Sequence, residues 1–126
     1  MSQKTRLYDA FGELMYVLAM ADGVIQPEEK EALVRILENH PFGKEVVWSF
    51  NYEIEKKHDV EEVYQRVLNI CHENGPDPEY KMLLELMQEV SRASAGIDAS
   101  EQKVIDRFTH ELTNRFKDDI ARINQN

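Results

Sequence analysis

Residues 20–29 read Met-Ala-Asp-Gly-Val-Ile-Gln-Pro-Glu-Glu, and this stretch has the features of a junction between two helices. Glycine tolerates the positive φ angle that commonly ends a helix, so Gly23 predicts the end of a first helix. Pro27 suits the first turn of a second helix, because the N–H group that proline lacks would have no helical partner there. The stretch therefore predicts a helix–loop–helix unit.

Apolar residues on both sides of this junction recur with the helical period of three to four residues. Before the junction, one helix face carries Leu7, Phe11, Leu14, Met15 and Leu18. Similar stripes along the rest of the chain predict six helices, with residues 116–123 either extending the sixth or forming a short seventh. No segment of useful length alternates apolar and polar residues as a strand does. The sequence thus predicts an all-α helical bundle in which residues 1–126 form a single domain.

The chain contains a diverged internal repeat. Moving residues 13–37 along the chain by 72 positions places them on residues 85–109 without a gap. The residues that coincide at the helix junctions are Ala21 with Ala93, Ile25 with Ile97, and Glu29 with Glu101. A repeated unit with an apolar stripe needs a second unit to cover that stripe. We therefore expect the two helix–loop–helix units to superpose and to pack about a local two-fold axis.

Acidic residues dominate the charge, because 24 Asp and Glu against 15 Lys and Arg give a net charge of −9. Such a surface repels phosphate backbones, so nucleic acid is not an expected partner, whereas a basic protein surface or a cation suits the charge. Cys71 is the single cysteine, so no internal disulfide is expected. The chain shows no apolar run of about 18 residues and no signal-like start. We therefore expect no membrane insertion and a cytoplasmic location.

The Asp-Gly-x-Ile-x-x-x-Glu pattern of residues 22–29 has the spacing of the second half of an EF-hand calcium loop. The first half is absent, because Leu18 and Met20 stand where the first two carboxylates would be. A structural interpretation explains the same residues, since Gly23 would end one helix and Glu29 would cap the next. We favour the structural interpretation and keep a degenerate EF-hand-like, calcium-responsive protein as an alternative.

The turn Ala-Asp-Gly-x-Ile, followed by a helix-starting proline and Glu-Glu, resembles the signature of TerB-like domains, a family of bacterial tellurite-resistance proteins. The pattern occupies residues 21–29 and returns in weaker form in residues 93–101. The resemblance implies an all-α fold and a cytoplasmic role in the bacterial stress response or in resistance to metal oxyanions. It also implies a divalent-cation site, for calcium or magnesium, made of acidic residues at the helix junctions.

The resemblance and the repeat together select the acidic residues of the two junctions as candidate metal ligands. The main candidates are Asp22, Glu29 and Glu101, and the further ones are Glu28 and Asp98. Hard cations such as calcium and magnesium prefer the carboxylate oxygens that these residues supply. In the second junction Ser94 and Ala95 replace the expected Asp-Gly. We therefore expect one asymmetric metal site rather than a two-fold symmetric arrangement.

Aromatic residues cluster in the third predicted helix, which runs from about residue 42 to residue 57, at Phe42, Trp48, Phe50 and Tyr52. Trp48 and Tyr52 are four residues apart, so they share one helix face, opposite the apolar stripe. Large aromatic side chains usually supply core area, so we expect this face to be buried against the fourth helix. The alternative is an exposed patch that binds a partner.

No histidine pair has metal-ligand spacing, and no Ser or Cys nucleophile has an identifiable base near it in the sequence. We therefore expect a non-catalytic module that acts through a protein partner and holds no cofactor besides the divalent cation. A carboxylate-based enzyme is the alternative from another class, because acid–base pairs can be assembled from distant segments. The sequence leaves the oligomeric state open.

Overall fold

The structure is a computed structural model that describes residues 3–93 and 99–124. Within these residues all regular secondary structure is helical, which confirms the predicted fold class. The helices are α1 Gln3–Ala19, α2 Pro27–Leu37, α3 Gly43–Lys56, α4 Val60–Asn74, α5 Glu79–Arg92 and α6 Ala99–Asn124. The last helix runs unbroken through Phe116 and Ile120, so these residues extend the sixth helix and do not form a seventh. No helix in this part of the chain combines the length and apolar character needed to cross a bilayer.

Helix α1 lies at the centre of the fold and supplies much of its core. It packs most extensively against α3 and α4, and it also touches α5 and α6. Its buried side chains are Leu7, Tyr8, Ala10, Phe11, Leu14, Met15, Tyr16, Val17, Leu18 and Ala19. They occupy nearly every side of the helix, as expected for a helix surrounded by others.

Gly12 allows α1 and α3 to approach closely. A Cβ atom at Gly12 would lie 2.3 Å from the carbonyl oxygen of Val46 and 2.7 Å from the Cβ of Ser49. The Ser49 hydroxyl donates a hydrogen bond to the carbonyl oxygen of Asp9 across the same contact. Because this contact fixes which face of α3 lies on α1, it also determines which face of α3 turns outward.

The junction after α1 has the local structure that the sequence predicts. Gly23 has a φ angle of +89°, in the left-handed region. The Oδ1 atom of Asp22 accepts a hydrogen bond from the Val24 N–H at 3.1 Å, which stabilises the turn. Helix α2 then begins at Pro27. At the start of α4, the Oδ2 atom of Asp59 accepts a hydrogen bond from the Glu62 N–H and caps that helix.

The predicted internal repeat is only partly visible, because residues 94–98 lie outside the described residues. Helix α2 begins at Pro27, and the described part of α6 begins at Ala99, directly after those residues. Helix α2 packs against α5, and α1 packs against α6. These bounds and contacts do not establish that residues 13–37 and 85–109 superpose, so the repeat stays a prediction.

The expected burial of Trp48 and Tyr52 is wrong. Trp48 is 62% exposed and Tyr52 is 40% exposed, and their rings stack on each other with centroids 5.3 Å apart. Val46 and Phe50 form the buried face of α3, which lies against α1. Helix α4 packs against α1 and α6 instead of the outer face of α3. The structure therefore shows the alternative, an exposed aromatic surface.

Candidate functional site

Two buried carboxyl groups meet near the starts of α2 and α6. Glu29 is the third residue of α2, and Glu101 is the third residue of α6. The carboxyl group of Glu101 is close enough to raise the pKa of Glu29, and Glu29 is only 2% exposed and Glu101 only 5% exposed. The Oε1 atom of Glu29 also accepts a hydrogen bond of 3.4 Å from the Gln26 N–H, the capping contact that the sequence predicts. The fold thus brings together two acidic residues that the repeat register makes equivalent.

The electrostatics of this acid pair differ from those of an exposed helix cap. Burial raises the pKa of Glu29 to about 8; the hydrogen bond with Glu101 and the charges of Glu101 and Asp22 act in the same direction. A carboxylate oxygen can only accept hydrogen bonds, so two carboxyl groups in contact need a proton or a cation between them. In the described part of the chain, no N–H or hydroxyl group donates to the buried Oε2 atom of Glu29. A proton or a cation between the two carboxyl groups would therefore stabilise the site.

The other predicted ligands do not complete a metal site around the acid pair. Asp22 is exposed and its carboxylate accepts a backbone hydrogen bond within its own turn, although its charge still acts on Glu29. Glu28 is exposed in the first turn of α2, and Asp98 lies outside the described residues. Over residues 3–93 and 99–124, no three His, Cys, Asp or Glu side chains are arranged to hold a metal ion. Metal binding by Asp22, Glu29 and Glu101 stays a prediction.

A second candidate site is the cleft between α2 and α3, which we call the α2–α3 groove. It has a volume of ≈ 930 Å³. Its lining includes the apolar residues Val34, Leu37, Val47 and Trp48 and the charged residues Lys30, Glu31, Arg35, Glu38 and Lys44. Gly43 brings the start of α3 against the end of α2, because a Cβ there would lie only 2.1 Å from the carbonyl oxygen of Leu37. An open, largely apolar cleft between two helices suits the side chains of another helix.

Sequence reasoning missed a buried polar cluster near the end of α3. Glu53 is 0% exposed, and its carboxylate lies 2.9 Å from His58 Nδ1. Arg66 of α4 lies 3.5 Å from Glu53 and 3.0 Å from Glu13 of α1, so it links two carboxylates. A signal was present, because Glu53 follows the buried Phe50 by three residues on the apolar stripe of α3. The cluster compensates a buried charge and joins α1, α3 and α4.

The Cys71-His72 dipeptide has a structural role. Burial raises the pKa of the Cys71 thiol to about 12, so the thiol stays protonated and unreactive. His72 Nε2 lies 2.7 Å from Asp119 Oδ2, and the His72 ring packs edge-on against Phe116. These contacts of His72 join α6 to α4.

The model of the family described as tellurite resistance protein TerB matches residues 9–122. This range contains both the acid pair and the α2–α3 groove. The searches of curated proteins and of solved structures found no match.

Proposed function

Because the chain belongs to the TerB family of tellurite resistance proteins, we propose that it is a non-catalytic, tellurite-resistance-type module that acts by binding a protein partner. One observation carries the proposal: Trp48, stacked on Tyr52, stands exposed in the lining of the α2–α3 groove. Exposed apolar patches on soluble domains mark interaction sites, and Trp and Tyr are enriched among the residues that dominate binding energy.

The chemistry of this surface suits a protein better than a nucleic acid. The net charge of −9 disfavours a phosphate backbone, and the groove offers apolar side chains beside charges of both signs. Truncating a central tryptophan in an interface typically costs about 2 kcal/mol or more, which is about thirtyfold in Kd. Loss of the Trp48 side chain should therefore weaken partner binding by at least that factor.

The experiment is an affinity capture from cells that produce the protein, comparing the wild type with Trp48→Ala. We expect proteins retained by the wild type to be lost from the variant. The matched control is Ile123→Ala, which removes an apolar side chain that is 70% exposed near the end of α6. Retention of the same proteins by Trp48→Ala would contradict the proposal. Thermal unfolding of both variants separates lost binding from lost folding.

The acid pair favours a second function, the uptake of a divalent cation, calcium or magnesium, by Glu29 and Glu101 with Asp22 at the rim. The support is the raised pKa of Glu29 and its buried Oε2 atom, to which no described N–H or hydroxyl group donates. Below that pKa Glu29 carries a proton, so a cation must displace that proton. Above it two carboxylates repel each other, and a cation bound by their oxygens relieves the repulsion.

Thermal unfolding with and without millimolar calcium or magnesium chloride, at constant ionic strength, tests this second function. Binding to the folded protein raises Tm by mass action, and we expect a larger rise at about pH 8.5 than at about pH 6. Glu29→Gln should abolish the rise and Asp22→Asn should reduce it. Glu28→Gln makes the same chemical change on an exposed neighbour and should keep the rise. An equal rise in all four proteins, or none in any, would reject the cation site.

A further inference from the structure

Three exposed residues at α2 form a stripe in which an apolar residue lies between a positive and a negative charge, and we call it the α2 stripe. Lys30, Val34 and Glu38 are spaced four residues apart, so they lie on one face of the helix. All three line the α2–α3 groove. Among the residues that the structure describes, neither Lys30 nor Glu38 forms an ion pair.

The two charges of the α2 stripe have the signs that the helix itself disfavours. Lys30 is the fourth residue of α2, and Glu38 is its C-cap. The helix macrodipole favours negative charge near the N-terminus and positive charge near the C-terminus. The stability of α2 alone therefore does not explain why a cation precedes Val34 and an anion follows it. A contact with another molecule would explain it.

We infer that the α2–α3 groove binds a second copy of this chain, with the two α2 helices antiparallel about a two-fold axis through Val34. In this arrangement Val34 meets its own symmetry mate, and each Lys30 faces Glu38 of the other copy. Both ion pairs lie about 6 Å along the helix from Val34, because a helix rises 1.5 Å per residue. Parallel helices would place like charges opposite each other. The inference rests on the proposed function, because it uses the same groove and names its partner.

The apolar surface beside the α2 stripe fits the same arrangement. Val34 is 46% exposed and Trp48 is 62% exposed, and both line the groove. A two-fold interface must be self-complementary, and an apolar centre with opposite charges at equal distances on its two sides meets that condition. Each copy carries a net charge of −9, which opposes association at long range. The apolar centre therefore supplies affinity, and the ion pairs fix the orientation.

A charge swap followed by sedimentation equilibrium of the whole chain tests the inference. We expect a wild-type dimer. Lys30→Glu and Glu38→Lys each place like charges opposite each other at two points, so each should weaken dimerisation about tenfold or more. The double variant restores both ion pairs with reversed polarity and should dimerise within about threefold of the wild type. The matched control is Lys81→Glu, an exposed cation of α5, which should leave the dimer unchanged.

Fluorescence gives a second, local measurement of the same association. Trp48 is the only tryptophan in the chain, so its emission reports on the groove. Emission of the wild type should shift to longer wavelength on dilution, because the ring becomes more exposed when the copies separate. Emission of Lys30→Glu should stay at the longer wavelength at every concentration.

A wild-type chain that remains monomeric would overturn the inference, as would a double variant that dimerises no better than the single ones. A Lys30→Glu variant that behaves like Lys81→Glu would also overturn it. If the chain is monomeric but Trp48→Ala loses its captured proteins, the inference fails and the proposed function stands. If the swap behaves as expected but Trp48→Ala retains its captured proteins, the groove binds a second copy of the chain, and the captured proteins do not bind through Trp48.

Discussion

Replacing Glu29 by glutamine should remove a pH-dependent penalty from the folded state. Burial and the contact with Glu101 raise the pKa of Glu29 from 4.5 to about 8. Between these two values the folded protein holds a proton that the unfolded chain releases. The state that binds more protons is favoured at lower pH, so the wild type should lose stability as the pH rises through this window. Glutamine has nearly the same size, donates a hydrogen bond as a protonated acid does, and does not titrate.

The magnitude follows from the width of this window. The pKa of Glu29 rises from 4.5 in the unfolded chain to about 8 in the folded protein. One pKa unit corresponds to 1.36 kcal/mol, so the free energy of unfolding of the wild type can fall by at most about 5 kcal/mol relative to the variant. The hydrogen bond from the Gln26 N–H lowers the pKa of Glu29 and so acts against the full change. We therefore expect the wild type to lose about 1–3 kcal/mol relative to Glu29→Gln across the window.

Urea denaturation at a series of pH values from about 5 to about 9 measures the free energy of unfolding that this prediction concerns. The wild-type value should fall relative to the value for Glu29→Gln, so the variant should be the more stable protein at the upper end. Glu28→Gln is the matched control, since it makes the same change on an exposed side chain one residue earlier, and it should follow the wild type. Parallel curves for the wild type and Glu29→Gln would refute the reasoning, because they would show that Glu29 does not titrate in the folded state within this range.

Two glycines and one ion pair give three further predictions. Gly12→Ala should lower the free energy of unfolding in urea by about 1–3 kcal/mol, because its Cβ would lie 2.3 Å from the Val46 carbonyl oxygen; an unchanged value would contradict the close approach of α1 and α3. Gly23→Val should cost about 1–2 kcal/mol through the +89° φ angle alone, since no atom lies within 4 Å of the added Cβ; an unchanged Tm would show that the turn is not left-handed. Hydrogen bonds from Arg107 lower the pKa of Glu61 to about 2. An NMR titration of Arg107→Ala should therefore show the pKa of Glu61 returning toward 4.5. The same titration curve for Glu61 in the wild type and the variant would argue against the ion pair between Arg107 and Glu61.

The features that the sequence predicted depend on residues close together in the chain. The turn at Gly23 and the start of α2 at Pro27 each require only a few neighbouring residues. The contact between Glu29 and Glu101 spans the chain, but the repeat register identified both residues as occupants of equivalent helix starts. The repeat itself stays a prediction, so the register selected these two residues without showing how their helices are placed in space.

The features that the sequence did not predict depend on how the helices are placed in space. Both faces of α3 carry large apolar residues, and the close approach at Gly12 turns the Trp48 face outward. No local pattern on α3 contains that information. The burial of Glu53 likewise depends on Arg66, which belongs to another helix. Whether the acid pair holds a cation depends on the balance between ion dehydration and carboxylate repulsion, which residue spacing does not determine.

The central position of α1 has a consequence for how the protein is made. Helix α1 ends at Ala19, whereas α4, one of its two main neighbours, ends at Asn74. A ribosome that adds about 5–20 residues per second completes α4 about 3–11 s after α1. Until then, part of the apolar surface of α1 lacks the neighbour that covers it in the finished fold. Helix α1 therefore offers a chaperone at the ribosome exit an apolar surface to hold until α4 is complete.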